Sequence, residues 1–104
     1  MSSDKEILSQ IKNAIHEIAP DAKVFLFGSR ATGKWHEESD WDFLVLTAKK
    51  YPKAVKWRIH EKLFSLSVSI GTVFQFIVAT NEEWKHKPGY YALQLEIQEQ
   101  LVPL

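Results

Sequence analysis

The sequence predicts a small α/β domain in which about three strands pack with about four helices. Three apolar runs, at 22–27, 39–47 and 73–79, have the length of buried or half-buried strands. Longer segments between and around them carry apolar residues at the three- and four-residue spacing of amphipathic helices. Alternation of such strands and helices is typical of a sheet covered by helices on one or both faces.

Length and composition restrict the class of protein. The chain has 104 residues, of which 45% are hydrophobic, so we expect a single globular domain over 1–104. Its 13 Lys and Arg residues balance 13 Asp and Glu residues, which gives a formal net charge of zero. Non-specific binding to nucleic acid depends on an excess of cations and is therefore not expected. Without cysteine there is no disulfide, no thiolate metal ligand and no thiol nucleophile.

Targeting features are also informative. The first residues are polar and contain no apolar signal-peptide core. No apolar run approaches the ~20 residues that a membrane-spanning helix needs. We therefore expect a cytoplasmic protein that has no membrane partner.

The first half of the chain predicts one helix and two strands. Ser3 or Asp4 can cap the helix. The strand at 22–27 is apolar almost throughout, which indicates a central position in the sheet. A polar loop at 28–38, which can begin with one helical turn, leads to the second strand. The apolar side of the helix comprises Ile7, Leu8, Ile11, Ala14, Ile15 and Ile18.

The second half predicts two longer helices, a short helix and one strand. Pro52 suits the first position of a helix that Gly71 can end. After the third strand, Thr80 or Asn81 can cap the short helix. A last helix is predicted over 90–100.

Two aspartates in the second strand are the candidate catalytic residues, within the stretch FGSRATGKWHEESDWDFLVL at 27–46. Because strand side chains alternate, Asp40 and Asp42 point to one face and Trp41 points to the other. Carboxylates this close repel one another, and a cation between them stabilises the pair. The alternatives are structural: Asp40 as a strand-entry residue, and Asp42 as an edge-strand charge that prevents aggregation.

The dipeptide Gly28-Ser29 follows the first strand and can form a phosphate-binding turn. Glycine lets a phosphate approach the backbone, and a serine at a helix start offers a hydroxyl and free N–H groups. The alternative is an ordinary Gly-Ser turn. A phosphate-binding turn beside paired carboxylates is typical of metal-dependent phosphoryl or nucleotidyl transfer.

These residues carry a resemblance to a known family. Gly28-Ser29, ten residues, then Asp40-Trp41-Asp42 resembles the Gly-Ser-x10-Asp-x-Asp signature of the DNA polymerase β-like nucleotidyltransferase superfamily. The small size resembles its minimal nucleotidyltransferase (MNT) branch. The resemblance implies a nucleotidyltransferase fold with a small mixed sheet, and an EC 2.7.7-type transfer of a nucleoside monophosphate, expected to be AMP, to an acceptor hydroxyl.

The resemblance also implies roles for the residues of the signature. Asp40 and Asp42 are expected to be catalytic and to hold one or two Mg²⁺ (or Mn²⁺) ions. Gly28 and Ser29 are expected to bind the terminal phosphates of ATP or another nucleoside triphosphate.

Other loop side chains are further candidates for the nucleotide site. Arg30 and Lys34 could add positive charge beside the phosphates, or could be solvated loop charges. Trp35 and His36 could line a base pocket, or could contribute only to the packing of the loop.

Gln75 occupies the strand on which the family often has a third carboxylate. It is the polar residue of that strand and a candidate for the third-carboxylate position, where it would supply neither negative charge nor basicity. The alternative is an edge-strand glutamine that faces water. Glu82 and Glu83 follow the strand and are poorly placed to substitute for the missing acid.

The resemblance further implies a partner. Minimal nucleotidyltransferases often pair with a helical HEPN-domain toxin, and some transfer AMP to a tyrosine of that toxin. The last helix and C-terminus could dock on such a partner or on a second copy, or could only close a small core. Their apolar residues are Tyr90, Tyr91, Leu93, Leu95, Ile97, Leu101 and Leu104.

Three functions therefore compete. The first is a Mg²⁺-dependent nucleotidyltransferase that modifies a protein hydroxyl. The second is a nucleotidyltransferase-fold module with weak or absent catalysis that acts by binding a partner. The third is a small α/β domain without a nucleotide function, because a fold can outlive its function.

Overall fold

The computed structural model describes residues 4–33 and 40–104. These two ranges contain five α-helices, four strands and one 3-10 helix. In chain order they are α1 (Asp4–Ile18), β1 (Lys23–Phe27), α2 (Ser29–Thr32), β2 (Trp41–Thr47), α3 (Lys53–Ile70), β3 (Phe74–Thr80), α4 (Asn81–His86), the 3-10 helix Pro88–Tyr90, α5 (Tyr91–Ile97) and β4 (Val102–Pro103).

The strands form one mixed sheet in the order β3-β2-β1-β4. β1 runs antiparallel to β2 and β4, whereas β2 and β3 run parallel. A parallel pair cannot be joined by a tight turn, and α3 supplies the long crossover between β2 and β3. β1 and β2 are therefore central, and β3 and β4 lie at the edges.

One face of the sheet, here called the α1–α3 face, is covered by the two long helices α1 and α3. Trp41 and Phe43 point into it, as the alternation along β2 predicts, and Phe43 is fully buried. The Phe43 ring lies 6.3 Å from that of Trp41 and meets Phe74 edge to face at 5.6 Å. The buried residues of this layer are Ile7, Ile11, Ile15, Ala19, Ala22, Val24, Leu26, Trp41, Phe43, Val45, Ile59, Leu63 and Phe74.

The opposite face, here called the α4–α5 face, is covered by α4 and the 3-10 helix, and α5 packs against these two elements. Its buried residues are Leu44, Leu46 and Ala79. Asp42 continues the row of Leu44 and Leu46 and therefore belongs to this face. Partly buried side chains complete the layer, namely Phe25, Phe27, Ile77, Trp84, Tyr90 and Leu101.

The predicted α/β class is confirmed, with helices on both faces of a mixed sheet. The fourth strand was not predicted, because Val102–Pro103 is too short to show alternation and includes a proline. The last helix is also shorter than predicted: it covers Tyr91–Ile97 and follows the 3-10 helix Pro88–Tyr90. Among the described residues, no helix combines the length and the apolar character needed to cross a membrane.

Candidate active site

The candidate site lies at one end of the sheet, where three strands place residues in one row. Asp42 is paired with Phe27 of β1 on one side and with Gln75 of β3 on the other. Asp40 immediately precedes β2, and its Oδ2 accepts a hydrogen bond from Gln75 Nε2 at 2.8 Å. The sheet thus brings together Asp40, Asp42 and Gln75, of which the aspartates are half-buried and the glutamine is exposed.

Gly28 follows the last residue of β1 and lies directly beside Asp42 in this row. Its φ of 80° is in the left-handed region that favours glycine. An added Cβ would collide with Asp42 Oδ2 and would lie 3.2 Å from Asp42 Cγ. Both the conformation and the close approach therefore require glycine, and they place the predicted phosphate-binding turn beside the carboxylates.

Ser29 and Arg30 belong to α2, a single helical turn that starts after Gly28. Ser29 is its first residue and is half-buried. The Arg30 guanidinium lies 4.4 Å from the centroid of the Trp41 ring, a cation–π contact with a buried aromatic side chain. Arg30 is thereby held beside the α1–α3 face, whereas Asp42 faces the α4–α5 layer.

The aspartate pair carries an electrostatic cost. Burial and the neighbouring charge of Asp40 raise the pKa of Asp42 above its ordinary value. A divalent cation held between the two carboxylates would remove this repulsion, and carboxylate oxygens are the ligands that Mg²⁺ and Mn²⁺ prefer. The donor set therefore fits such a metal ion. Within 4–33 and 40–104, no cluster of three His, Cys, Asp or Glu residues adds a third acidic ligand.

Gln75 combines both of its predicted alternatives. It is an exposed residue of the edge strand β3, and its side chain is also hydrogen-bonded to Asp40 in the candidate site. As placed, its amide nitrogen donates to Asp40, so it stabilises that carboxylate by a hydrogen bond instead of offering an oxygen to a cation. The side chain can present its carbonyl oxygen only if the amide group flips, which exchanges the positions of its oxygen and nitrogen.

The two glutamates that follow β3 are engaged locally. Glu83 Oε1 accepts the N–H of Thr80, and Thr80 Oγ1 accepts the N–H of Glu83, each at 3.0 Å, which completes a capping box for α4. The backbone hydrogen bond from Thr80 lowers the pKa of Glu83. Glu82 Oε1 lies 3.6 Å from His86 Nε2 on the same helix. These contacts agree with the expectation that neither glutamate replaces the third carboxylate.

Gln100 is part of the site region, although the sequence did not indicate it. Its Oε1 accepts the N–H of Gly28 at 3.1 Å, across a separation of 72 residues. No local pattern could have revealed a contact that depends on where the C-terminus lies. The loop candidates Lys34, Trp35 and His36 lie outside the described residues.

The apolar residues of the C-terminal region are divided between core and surface. Ile97 is buried, and Tyr90, Leu101 and Leu104 pack against the two core clusters. Tyr91 and Leu95, by contrast, are 64% and 58% exposed. Most of this region therefore closes the core, and two side chains of α5 remain as an apolar surface.

Comparison with known proteins identifies solved structures that share this fold. A search of curated protein sequences gives no match. A solved structure from Sulfolobus solfataricus, described as a nucleotidyltransferase, aligns with a TM-score of 0.59 at 19% identity, over 93% of this chain and 75% of that chain. A toxin–antitoxin structure with AMP-PNP aligns with a TM-score of 0.54 at 20% identity, over 85% and 90% of the two chains. A mutant of the toxin–antitoxin MntA–HpeT aligns with a TM-score of 0.58 at 20% identity, over 100% and 72%. At these identities, the likeness shows a shared fold.

The family assignment comes from the sequence match. The family model described as "Nucleotidyltransferase domain" matches residues 8–98, which is most of the chain. The matched range includes Gly28, Asp40, Asp42 and Gln75. It also extends through β1, β2 and β3, the strands that position these residues. The chain therefore belongs to the nucleotidyltransferase domain family, as the resemblance of its Gly-Ser-x10-Asp-x-Asp spacing implied.

Proposed function

We propose that this protein transfers AMP from ATP to a protein hydroxyl, in a reaction that depends on a divalent metal ion. The observation that carries the proposal is the convergence of Gly28, Asp40 and Asp42 at one end of the sheet in a domain of this family. A glycine turn and a carboxylate pair that lie in contact supply two requirements of nucleotidyl transfer, a place for phosphates and a place for a cation.

In this proposal, the Gly28-Ser29 turn binds the terminal phosphates. Gly28 has no side chain between its backbone and the carboxylates, so a triphosphate can lie close to both. Ser29 begins α2 and offers its hydroxyl as a hydrogen-bond donor to a phosphate oxygen. Arg30 belongs to the same turn, but its guanidinium lies over Trp41 on the other side of the sheet from Asp42, so direct contact with the phosphates would require its side chain to leave that ring.

Asp40 and Asp42 are the proposed ligands of Mg²⁺, or of Mn²⁺. Burial and, after it, the neighbouring charge of Asp40 raise the pKa of Asp42, and a bound cation would stabilise the ionised carboxylate against both. When bound, the metal ion would neutralise the negative charge of the triphosphate.

The acceptor hydroxyl oxygen is proposed to form a bond to the α-phosphorus of ATP while the bond to the pyrophosphate oxygen breaks, with release of pyrophosphate. The proton of the hydroxyl passes to solvent water, because the amide of Gln75 has no useful basicity. Gln75 therefore lowers the expected rate relative to a site with a carboxylate at this position. We expect slow turnover rather than none, because Gly28, Asp40 and Asp42 are still present to hold the phosphates and a cation, although more weakly than in a site with a third carboxylate.

The proposed acceptor belongs to a helical HEPN-type toxin partner in the cytoplasm. The fold is shared with toxin–antitoxin proteins, one of which was solved with AMP-PNP. The exposed Tyr91 and Leu95 of α5 are a candidate contact surface for the partner.

The direct test is calorimetric titration of ATP and GTP into the purified protein, first with Mg²⁺ and then with EDTA. We expect ATP to bind only when the metal ion is present. The matched variant is Asp42→Asn, which keeps the shape of the side chain but removes its charge. We expect it to lose the ATP binding that requires the metal ion. A folded protein that binds neither nucleotide at millimolar concentration would contradict the proposal.

A second candidate function is a binding module that neutralises its partner without catalysis. The observation that favours it is the hydrogen bond between Gln75 and Asp40, because an amide stands beside the pair where a third acid would assist catalysis. The test is the double substitution of Asp40→Asn and Asp42→Asn. If contact alone is sufficient, the double variant should co-purify with the toxin as the unmodified protein does; loss of the complex would exclude this candidate.

A further inference from the structure

The side-chain amide of Gln100 links the C-terminal segment to the candidate site. Its Oε1 accepts the N–H of Gly28 at 3.1 Å. Its Nε2 donates to the carbonyl oxygen of Glu96 at 3.3 Å, in the last turns of α5. Both ends of the amide are therefore used, and the side chain is hydrogen-bonded to the end of α5 while it reaches across to the residue that follows β1.

The neighbouring backbone explains why Gln100 stands opposite Gly28. Val102 and Pro103 pair with Leu26 and Phe25 in the antiparallel β4–β1 ladder. Leu104 N–H extends the same ladder with a hydrogen bond of 2.9 Å to the Val24 carbonyl. The ladder ends before Gly28, and the Gln100 side chain supplies an acceptor where no paired strand residue does so.

Gly28 is consequently held from two sides. The Asp42 carboxylate lies against its Cα, and the Gln100 amide accepts its N–H. Glycine has more accessible backbone conformations than any other residue, so fixing its peptide orientation requires such contacts. We infer that Gln100 is a positioning residue for nucleotide binding, which fixes the Gly28 peptide and so the distance between the Gly28-Ser29 turn and Asp42. This inference rests on the proposed function.

The test compares the full chain with Gln100→Met, in which the side chain keeps a similar length but cannot accept the hydrogen bond well. Two quantities are measured: the hydrogen-exchange rate of the Gly28 amide by NMR, and ATP affinity by calorimetry with Mg²⁺. We expect faster exchange at Gly28 and an affinity that falls about threefold to tenfold, as for the loss of one hydrogen bond that orders a binding turn.

Two further variants separate positioning from general damage. Gln98→Met alters an exposed glutamine in the same C-terminal turn and should leave both quantities unchanged. Gln100→Glu retains an acceptor oxygen and should restore protection of the Gly28 amide. If Gln100→Met does not fold, Gln100→Asn replaces it, because the shorter amide retracts the acceptor while it keeps the same chemistry.

The outcomes distinguish this inference from the proposed function. If the unmodified protein binds ATP and Gln100→Met binds it equally well, the inference is overturned and the proposed function stands. If the unmodified protein binds no nucleotide, the proposed function fails, and exchange at Gly28 alone decides whether Gln100 orients the peptide. Unchanged exchange at Gly28 overturns the inference in either case.

Discussion

The two faces of the sheet differ in how completely helices cover them. On the α1–α3 face the helices have 15 and 18 residues, so each is ~22–27 Å long at 1.5 Å per residue. On the α4–α5 face they have six and seven residues, or ~9–10 Å. The seven residues of β2 extend ~23 Å, so each long helix is about as long as the strand and each short helix is less than half as long.

The position of the candidate site follows from this difference. α4 begins directly after β3 ends, at the carboxyl end of the parallel strands. At their amino end, by contrast, Gln75 is exposed and Asp42 is only half-buried. Asp42 and Gln75 lie at that amino end and on that face. The same strand, β2, therefore supplies buried residues to both faces, but on the α4–α5 face its row also includes the carboxylate of Asp42. The predictions below test whether stability resides on the first face and chemistry on the second.

The largest effect on stability is expected from Phe43→Ala on the α1–α3 face. Phe43 is completely buried, and its loss leaves a cavity beneath the two long helices. We expect the free energy of unfolding to fall by about 3–5 kcal/mol, measured by urea denaturation. Phe25→Ala on the α4–α5 face is the control, and it should cost clearly less because Phe25 is only partly buried. Equal losses would show that the two faces contribute equally.

Asp42→Asn should have the opposite profile, with a large effect on chemistry and little on stability. Loss of a metal ligand that assists transfer should reduce AMP transfer by at least about a hundredfold. The free energy of unfolding should stay the same or rise slightly, because burial and Asp40 already disfavour the Asp42 charge and raise its pKa. Glu82→Gln, an exposed acid on α4, should change neither. Transfer that survives Asp42→Asn would exclude the proposed role.

Gln75→Asp should strengthen the candidate site at some cost to the stability of the fold. A third carboxylate beside Asp40 and Asp42 should raise Mg²⁺-dependent ATP affinity by up to about tenfold. Stability in the absence of metal should decrease, because the hydrogen bond to Asp40 is replaced by repulsion. The measurements are calorimetry and urea denaturation, with the exposed Gln98→Asp as control. An unchanged or lower affinity would place Gln75 outside the site.

The smallest effect on stability is expected from Asp21→Asn, at the end of the sheet opposite the candidate site. Asp21 accepts hydrogen bonds from the N–H groups of Ala48 (2.8 Å) and Lys49 (3.3 Å) and from the Tyr51 hydroxyl. Partial burial alone would raise the pKa of Asp21, but the hydrogen bond from Tyr51 and those from the two N–H groups lower it overall. Because Asp21 is partly exposed, Asp21→Asn should cost no more than about 1 kcal/mol at neutral pH.

The pH dependence of this cost has a definite sign. A lowered pKa in the folded state means that ionised Asp21 stabilises the fold above its unfolded pKa of about 3.9. The stability difference between the unmodified protein and Asp21→Asn should therefore be constant above about pH 5 and disappear as the pH falls through the folded pKa. Urea denaturation across this range measures it. A difference that grows on acidification would contradict the assignment.

Local patterns were sufficient to predict most helices and strands, and to predict that Asp40 and Asp42 lie on the same side of the second strand. The alternation around Asp40 and Asp42 separated charged from core residues correctly, because side-chain direction along a strand depends only on local geometry. Helix α1 has the predicted apolar face, with Ile7, Ile11 and Ile15 buried. The roles of the site residues toward nucleotide and metal stay predictions.

Contacts between distant segments were beyond such patterns. The Gln100–Gly28 hydrogen bond, the Arg30–Trp41 contact and strand β4 each depend on which segments the sheet brings together. A glutamine in a C-terminal turn has no local property that indicates a partner 72 residues earlier. Pairing of this kind is decided by the packing of the whole sheet.

The sequence by itself determined the fold class, the family signature and the face of β2 on which its carboxylates lie, because these follow from spacing and alternation along the chain. Only the tertiary structure decided that Gln75 is hydrogen-bonded to Asp40, that Gly28 contacts Asp42, and that the C-terminus holds the Gly28 peptide. The physical reason is that these contacts join β1, β3 and the C-terminal turn, and strand register and helix length set their distances rather than any local preference of the residues involved.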